Sequence, residues 1–415
     1  MNAGVDPLAL IDPLDLIDPE RFARRGYPDE AWTRLRAEAP VARFEPPNHL
    51  PFWAITKHAD IVEVASRPHC FSSAYGITLA RSGPRKVVPL DMVVLLDPPR
   101  HGPMRRVASR RFTPRALRAQ RAAIERITVE ILDAATTGGA VAECDFVERI
   151  AAPLPLAVIA WVLGAPADDW QLLYRWTNEV IGKNDPEYRR PGETPSETIV
   201  RARGELHAYF ARIVELRRGD PRDDLVSELV GAEIDGEPLS EAQILAYCEL
   251  MVEAGNETTR NAISRGLLAF CEHRDEWEKL CRHPELLPGA VEEILRYVSP
   301  IAYFARVATE DCEIRGATIR AGEQVALYWA SANRDEEVFA DPFAFRVDRH
   351  PNPHLAFGVG EHFCMGAHVA RVELEAIFRH LLARLKSFEV AGPVERLTSA
   401  VNGGLKHLPL RYQLD

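Results

Sequence analysis

The strongest constraint on the fold is a stretch of helical sequence, residues 240–272, that contains no proline. Ser240 and Gln243 have the three-residue spacing of a capping box, in which each side chain bonds the backbone N–H of the other residue. At 1.5 Å per residue the stretch forms a helix about 50 Å long, which is above the usual length in globular proteins. It is therefore predicted to cross the whole molecule and to pack on two sides.

The rest of the chain has the pattern of a helical protein with a small β part. Helical periodicity predicts further helices at residues 114–135, 145–163, 166–181, 198–217, 223–230, 288–297 and about 364–385. Runs of β-branched and aromatic residues predict strands at residues 43–44, 52–56, 312–314, 318–319 and 324–328. The first two form a hairpin around a turn at residues 46–48.

These elements predict a mainly α fold with a minor β part, because the helices are too many and too uneven for a four-helix bundle. No long Gly/Ser linker divides the chain, so we expect one domain over residues 1–415. Its β-rich part should lie near residues 40–60 and 305–330, and its helical part at approximately 100–300 and 364–386.

Charge and composition exclude several classes of protein. A net charge of −11 argues against nucleic-acid binding, which usually needs a basic surface. No apolar run is long enough to predict a membrane anchor, and the acids and prolines of residues 1–22 do not suit a signal peptide. The seven cysteines are scattered without CxxC pairs, which predicts neither a disulfide framework nor a zinc cluster. We therefore expect a cytoplasmic protein.

The most informative segment is residues 357–366, which read FGVGEHFCMG. A cysteine by itself is usually a small buried apolar residue. Here Gly358, Gly360 and Gly366 permit tight turns and a close approach of the backbone to a flat group. Cys364 also precedes a predicted helix, whose N-terminal N–H groups favour an anionic sulfur. A thiolate is the axial ligand that promotes O–O cleavage at haem iron.

This segment resembles the haem-binding loop of the cytochrome P450 family, F-G-x-G-x-H-x-C-x-G, at every fixed position. The resemblance implies the single-domain cytochrome P450 fold, with the long central helix lying over haem b (iron protoporphyrin IX). It also implies that Cys364 is the axial ligand of the haem iron and that Phe357, Gly358 and Gly366 surround the cofactor.

A second segment, residues 254–259, reads AGNETT and lies in the middle of the long helix. By itself it is equally typical of a solvated face or of a threonine hydroxyl that bonds back to the preceding turn. It resembles the family's oxygen-binding motif, A/G-G-x-D/E-T-T. The resemblance implies that Ala254 and Gly255 contact the cofactor, that Thr258 hydrogen-bonds the reacting dioxygen, and that Glu257 delivers protons into a site that excludes water.

A third pattern places His101 and Arg105 four residues apart, on one face of a predicted helix. Such residues are surface residues by default, but the pair resembles the family's H-x-x-x-R motif. The resemblance implies that both bind the haem propionates, since buried carboxylates need cationic or hydrogen-bonding partners. It assigns the same role to Arg306 and His362.

Glu293 and Arg296 resemble the family's E-x-x-R helix, in which a buried ion pair holds the cysteine loop. An exposed pair at this spacing would contribute only about 0.2–0.5 kcal/mol. The resemblance implies that an arginine upstream of the loop completes a structural trio, and Arg349 has the best spacing. These three residues are predicted to serve folding rather than chemistry.

The resemblance as a whole implies a monooxygenase that inserts one atom of O2 into a hydrophobic small molecule. The wording of residues 251–263 is similar to that of bacterial members that oxidise sterols, branched lipids and terpenoids. NAD(P)H would be the indirect electron donor, through a separate ferredoxin and ferredoxin reductase, and we expect a monomer. A haem protein that does not oxygenate and a peroxide-using haem-thiolate enzyme are the alternatives. The presence of Glu257 and Thr258 counts against both.

Overall fold

The protein is built from α-helices around one long central helix, with small sheets at the edges. The computed structural model describes residues 10–83, 86–136 and 141–414. The helices in this part of the chain are α1 (Pro19–Arg25), α2 (Asp29–Glu38), α3 (His58–Ala65), α4 (His101–Ser109), α5 (Pro114–Ala135), α6 (Pro153–Leu163), α7 (Trp170–Ile181), α8 (Pro195–Gly219), α9 (Leu225–Val230), α10 (Glu241–Glu272), α11 (Arg274–Arg282), α12 (Leu287–Val298), α13 (Trp329–Ala332) and α14 (Ala367–Arg384).

Among the described residues, the strands are short and belong to five separate sheets. They are β1 (Val41–Phe44), β2 (Phe52–Ile55), β3 (Phe71–Ser72), β4 (Val141–Asp145), β5 (Glu233–Ile234), β6 (Glu237–Pro238), β7 (Phe304–Ala308), β8 (Cys312–Ile314), β9 (Ala317–Ile319), β10 (Gln324–Leu327), β11 (Leu385–Val390), β12 (Glu395–Arg396), β13 (Leu405–His407) and β14 (Pro409–Leu414). The predicted mainly α fold with a minor β part is confirmed.

Helix α10 begins where the sequence predicts. The Ser240 N–H donates to Gln243 Oε1 at 2.9 Å, and the Gln243 N–H donates to Ser240 Oγ at 3.3 Å. The helix packs against α6, α7, α8, α12 and α14, so most of its surface is inside the protein. The prediction of a central helix with neighbours on several sides is confirmed. Among the described residues, no helix combines the length and apolar character needed to cross a bilayer.

The largest sheet joins distant parts of the chain in the order β1-β2-β10-β7-β3. Strands β1 and β2 form the predicted antiparallel hairpin, with Phe44 opposite Phe52. Strand β10 is parallel to β2 and antiparallel to β7, and β7 places Arg306 opposite Val325. Strand β3 pairs with the far edge of β7, where Phe71 lies opposite Ala308. The sheet therefore places Arg306 close to the segment that follows β3.

The prediction of a helix from residue 145 is wrong at its start. Strand β4 ends at Asp145 and pairs with β14, and a π-helical turn at Val147–Ala151 comes before α6. The Asp145 carboxylate accepts the Val147 N–H at 2.9 Å and the Leu408 N–H at 3.2 Å, which ties this turn to the end of the chain. Local periodicity does not reveal a strand whose partner lies so far along the sequence.

Glu293, Arg296 and Arg349 meet in the core at the base of the cysteine loop. Arg296 makes two hydrogen bonds to Glu293, at 2.7 and 2.8 Å, and Arg349 Nε lies 3.0 Å from both carboxylate oxygens. The remaining guanidinium N–H groups donate to backbone carbonyls of residues 333–344. Asn352 also donates to Glu293, at 3.2 Å. The trio thus anchors α12 to the chain that leads into the loop.

Glu293→Gln should destabilise the protein strongly, because it leaves two buried guanidinium groups without their carboxylate. Breaking a buried ion pair in this way typically costs about 3–5 kcal/mol. Urea unfolding would measure the loss, with Glu285→Gln as the control because that side chain is 70% exposed. Equal unfolding free energies for the two variants would contradict the structural role of the trio.

Candidate active site

The cysteine loop is shaped by two glycines and a backbone hydrogen bond. The Cys364 N–H donates to the Phe357 carbonyl at 2.8 Å and closes the loop. Gly358 and Gly360 have φ values of +69° and +76°, and a Cβ at Gly360 would lie 2.7 Å from the Ala65 carbonyl oxygen. Both positions therefore require glycine.

Gly366 differs from these two glycines. The sequence suggested that it permits a tight turn, but its backbone conformation does not need glycine. Its φ is −82°, and a Cβ there would meet no described atom within 4 Å, so the turn itself does not require glycine. Gly366 lies two residues after Cys364, at the N-cap of α14. Burial raises the pKa of the Cys364 thiol, while the backbone N–H of Gly366 and the charges of Arg105 and Arg371 act to lower it. The Cys364 side chain retains accessible surface and is free to bind a ligand.

The structure brings together the four basic residues that the sequence proposed for propionate binding. The rings of His101 and His362 have centroids 4.4 Å apart. Arg105 on α4 donates to the Phe363 carbonyl at 2.5 Å, which places it beside the cysteine loop. Burial and the positive charges of Arg306, His101 and Arg105 lower the pKa of His362 to about 3. Three distant segments, α4, β7 and the cysteine loop, thus converge on one basic cluster.

The anionic partners of this basic cluster are few. His101 Nδ1 lies 3.1 Å from Glu361 Oε1, but its Nε2 is buried without a hydrogen-bond partner among the described residues. Burial lowers the pKa of Arg306 to about 10, and the charge of Asp97 is the attraction that opposes this shift. Arg306 Nη1 donates only to the neighbouring Ala305 carbonyl, at 2.8 Å. A ligand with carboxylate groups would satisfy these donors.

Ser73 and Asp97 belong to this site although no sequence pattern indicated them. Ser73 Oγ lies 3.2 Å from His362 Nε2, and the Ser73 N–H donates to Asp97 Oδ1 at 2.9 Å. Asp97 also accepts from Ser72 Oγ. Ser73 comes near the cluster because β3 pairs with β7, whereas Asp97 precedes α4 and its carbonyl accepts the His101 N–H at 3.0 Å.

A strip of accessible residues interrupts the buried surface of α10. Ala254 is exposed and Gly255 and Thr258 are partly exposed, whereas Asn256 and Thr259 are buried. The Thr258 hydroxyl donates to the Ala254 carbonyl at 2.9 Å, the back-bonded geometry that the sequence left open. Packing favours glycine at position 255, since a Cβ there would come within 3.3 Å of Ile159 on α6. The strip gives a ligand access to the middle of the central helix.

Glu257 lies next to this strip in sequence but points elsewhere. Its carboxylate pairs with Arg260 and accepts from Asn261 Nδ2 at 3.0 Å, and the group is fully buried. Arg260 in turn donates to Asn178 Oδ1 on α7 at 2.7 Å. The structure therefore separates Glu257 from Thr258, and proton transfer between them requires the carboxylate to leave Arg260.

The site as a whole has the donors that a thiolate-ligated haem needs. Cys364 offers a sulfur at a helix N-terminus, and the basic cluster offers cationic donors suited to two carboxylates. The glycine loop allows close approach of a flat macrocycle, and α10 carries a strip of residues that a ligand can reach. This combination defines a haem-thiolate protein.

Comparison with known proteins identifies the family. The cytochrome P450 profile matches residues 277–414. The methyl-branched lipid omega-hydroxylase of Mycobacterium tuberculosis is 38% identical over 92% of this chain and 91% of its own length. The steroid C26-monooxygenase of Mycolicibacterium smegmatis is 38% identical over 87% of this chain and 83% of its own length.

A solved structure agrees with these relatives. The cytochrome P450 of Mycobacterium marinum in complex with pseudoionone has a TM-score of 0.85 and 34% identity, over 92% of this chain and 94% of that one. The chain belongs to the cytochrome P450 family. It is a haem-thiolate monooxygenase that uses O2 to hydroxylate hydrophobic molecules, and the predicted enzyme class is confirmed.

Arg306→Gln should accelerate loss of haem by about tenfold. A hydrogen bond to a charged group is worth about 1.5–3 kcal/mol, and about 1.4 kcal/mol corresponds to a factor of ten. Without haem, the same substitution should leave the stability unchanged or higher, because it removes a desolvated charge. Haem transfer to apomyoglobin and unfolding of the apoprotein measure the two effects. The control is Arg320→Gln, whose side chain is 68% exposed, and equal haem retention in both variants would contradict the assignment.

Proposed function

We propose that this monooxygenase hydroxylates a methyl-branched aliphatic substrate of the branched-lipid, sterol or terpenoid class. The names of its relatives refer to a methyl-branched lipid and to a steroid, and pseudoionone is the ligand of the similar solved structure. The main structural support for this proposal is the accessible strip on α10, formed by Ala254, Gly255 and Thr258. Beside it lie the apolar residues Leu250 and Met251, as a hydrocarbon substrate requires.

The cofactor roles follow from the donor set. Cys364 would bind the haem iron through its thiolate, and His101, Arg105, Arg306 and His362 would hold the propionates. When bound, the haem supplies the oxidising chemistry of the reaction. The protein's part is to hold the thiolate at the start of α14, to neutralise the propionates and to exclude water from the reacting centre.

Thr258 and Glu257 are proposed to control protons. The Thr258 hydroxyl can exchange its bond to the Ala254 carbonyl for one to the reacting dioxygen without a change of backbone. The Glu257 carboxylate can pass protons to it after leaving Arg260 and Asn261. The Glu257 side chain has to reorient for this transfer, because residues one position apart on a helix do not face each other.

Electrons are proposed to come from NAD(P)H through a separate ferredoxin and ferredoxin reductase in the cytoplasm. Arg106 and Arg110 are exposed at the end of α4 and can meet an acidic partner. Arg111 is not proposed for this surface, because it already forms ion pairs within the protein with Asp223 and Glu228, both at 2.8 Å. The monomeric state and the single domain also belong to this proposal.

Binding of substrate can be followed by the low-to-high-spin change of the haem. We expect methyl-branched fatty acids, sterols with a branched side chain, or acyclic terpenoids to produce this change and to yield a product hydroxylated on an aliphatic carbon. Straight-chain fatty acids of equal length serve as the control for branching. A spin change and product formation that favour the straight-chain compounds would contradict the proposed substrate class.

Thr258→Ala should leave the haem in place but divert reducing equivalents to hydrogen peroxide. A positioned proton-transfer group typically contributes about 10²-fold or more, so we expect the ratio of product to NAD(P)H consumed to fall at least about tenfold. The matched control is Thr259→Ala, since Thr259 is buried on another face of the helix. Unchanged coupling in Thr258→Ala would exclude the proposed role.

A further inference from the structure

Three glutamates follow one another at every fourth position of α10: Glu249, Glu253 and Glu257. Residues four apart share a helix face, with Cβ atoms about 5–6 Å apart. Glu249 and Glu257 are fully buried, and the Glu253 side chain is 17% exposed. Buried carboxylates are stable only when paired, hydrogen-bonded or protonated. The partners of each glutamate therefore determine its charge.

The two outer glutamates have cationic partners. Glu249 Oε2 lies 2.6 Å from His207 Nε2, and its Oε1 lies 2.6 Å from Arg203 Nε, both on α8. Burial raises the pKa of Glu249, but His207 and Arg203 outweigh burial and the net shift is downward. Glu257 is paired with Arg260. Both outer groups are therefore carboxylates.

Glu253, in the middle of the row, lacks such a partner. The nearest guanidinium nitrogen, Arg203 Nη2, is 4.0 Å from Glu253 Oε1. Among the described residues, neither this oxygen nor Glu249 Oε1 has an aligned hydrogen-bond donor, although both are buried. Glu249 and Glu253 are four residues apart on the same face of α10, so their carboxyl groups can approach each other. One proton on Glu253, donated to Glu249, satisfies both oxygens.

The surroundings favour that proton. Burial and the negative charge of Glu249 raise the pKa of Glu253 to about 8, against the opposing charges of Arg203 and Lys183. Lys183 follows α7, and burial together with the charges of Arg203 and Arg81 lowers its pKa. Below about pH 8 the pair thus holds one proton between two oxygens.

We propose that Glu249 and Glu253 share one proton and that this pair is the proton source for Glu257. The proposal rests on the proton-delivery role of Glu257 and extends it by one helical turn. In the transfer, the O–H bond of Glu253 breaks and an O–H bond forms on Glu257, with no change in electrons. Solvent restores the proton through His207, whose side chain on α8 is 33% exposed.

Infrared spectroscopy of the holoenzyme in H2O and D2O tests the shared proton without turnover. The C=O stretch of a protonated carboxyl group should be present at neutral pH and should decrease as the pH rises through about 8. Glu253→Gln should remove the contribution of this residue. Glu249→Gln should move the titration of Glu253 to lower pH, because it removes the charge that raises the pKa. An infrared spectrum unchanged by Glu253→Gln would overturn the shared proton.

Glu373 on α14 provides a matched control for function. It is buried, its Oε2 has no hydrogen-bond partner among the described residues, and burial raises its pKa to about 8. Glu373→Gln should therefore remove a similar infrared band but leave coupling unchanged. Glu253→Gln should lower coupling about tenfold and abolish the loss of coupling above about pH 8. Equal coupling in the two variants would overturn the relay.

Failure of the shared-proton proposal can be distinguished from failure of the proposed substrate class. The infrared measurement needs neither substrate nor electron donor. If the wild-type enzyme oxidised none of the branched compounds, the proposed substrate class would fail, while the band of Glu253 would still decide whether the pair shares a proton.

Discussion

The rest of the structure depends on α10, a helix of 32 residues whose faces lie in different surroundings, some apolar, some accessible and some charged. Because side chains recur every 3.6 residues, α10 can place apolar residues in the core, an accessible strip along one line and a row of glutamates along another. The packing of the other helices around it then determines what each line faces. At Gly255, for example, α6 approaches so closely that a Cβ would come within 3.3 Å of Ile159.

Two buried groups of charged residues differ in whether they are satisfied by the protein alone: the network around Glu293 and the basic cluster around His362. Around Glu293 the two arginines find a carboxylate and a set of backbone carbonyls, so this network is complete without a ligand. Around His362, burial lowers the pKa values of His101, His362 and Arg306, and the buried His101 Nε2 has no hydrogen-bond partner among the described residues. The first arrangement stabilises the fold of the polypeptide, and the second favours an anionic ligand.

Prediction from sequence succeeded where the signal was local. The capping box at Ser240, the bounds of α5, the β1–β2 hairpin and the turn glycines Gly358 and Gly360 all depend on residues near in sequence. Strands β4, β11 and β14 were missed, because each is stabilised by partners far along the chain. Ser73 was missed for the same reason, since His362 lies far from it in sequence.

The sequence by itself determined the family, and it also supplied the candidates for the thiolate ligand and for the proton-handling residues, because such chemistry requires particular residue types at short spacings. Tertiary structure decided how those residues are used. It showed that Glu257 is held by Arg260, away from Thr258, and that Glu253 lies between two carboxylates with their own cations. The physical reason is that a motif specifies identities along one helix, whereas charge, pairing and protonation depend on side chains that other helices bring to it.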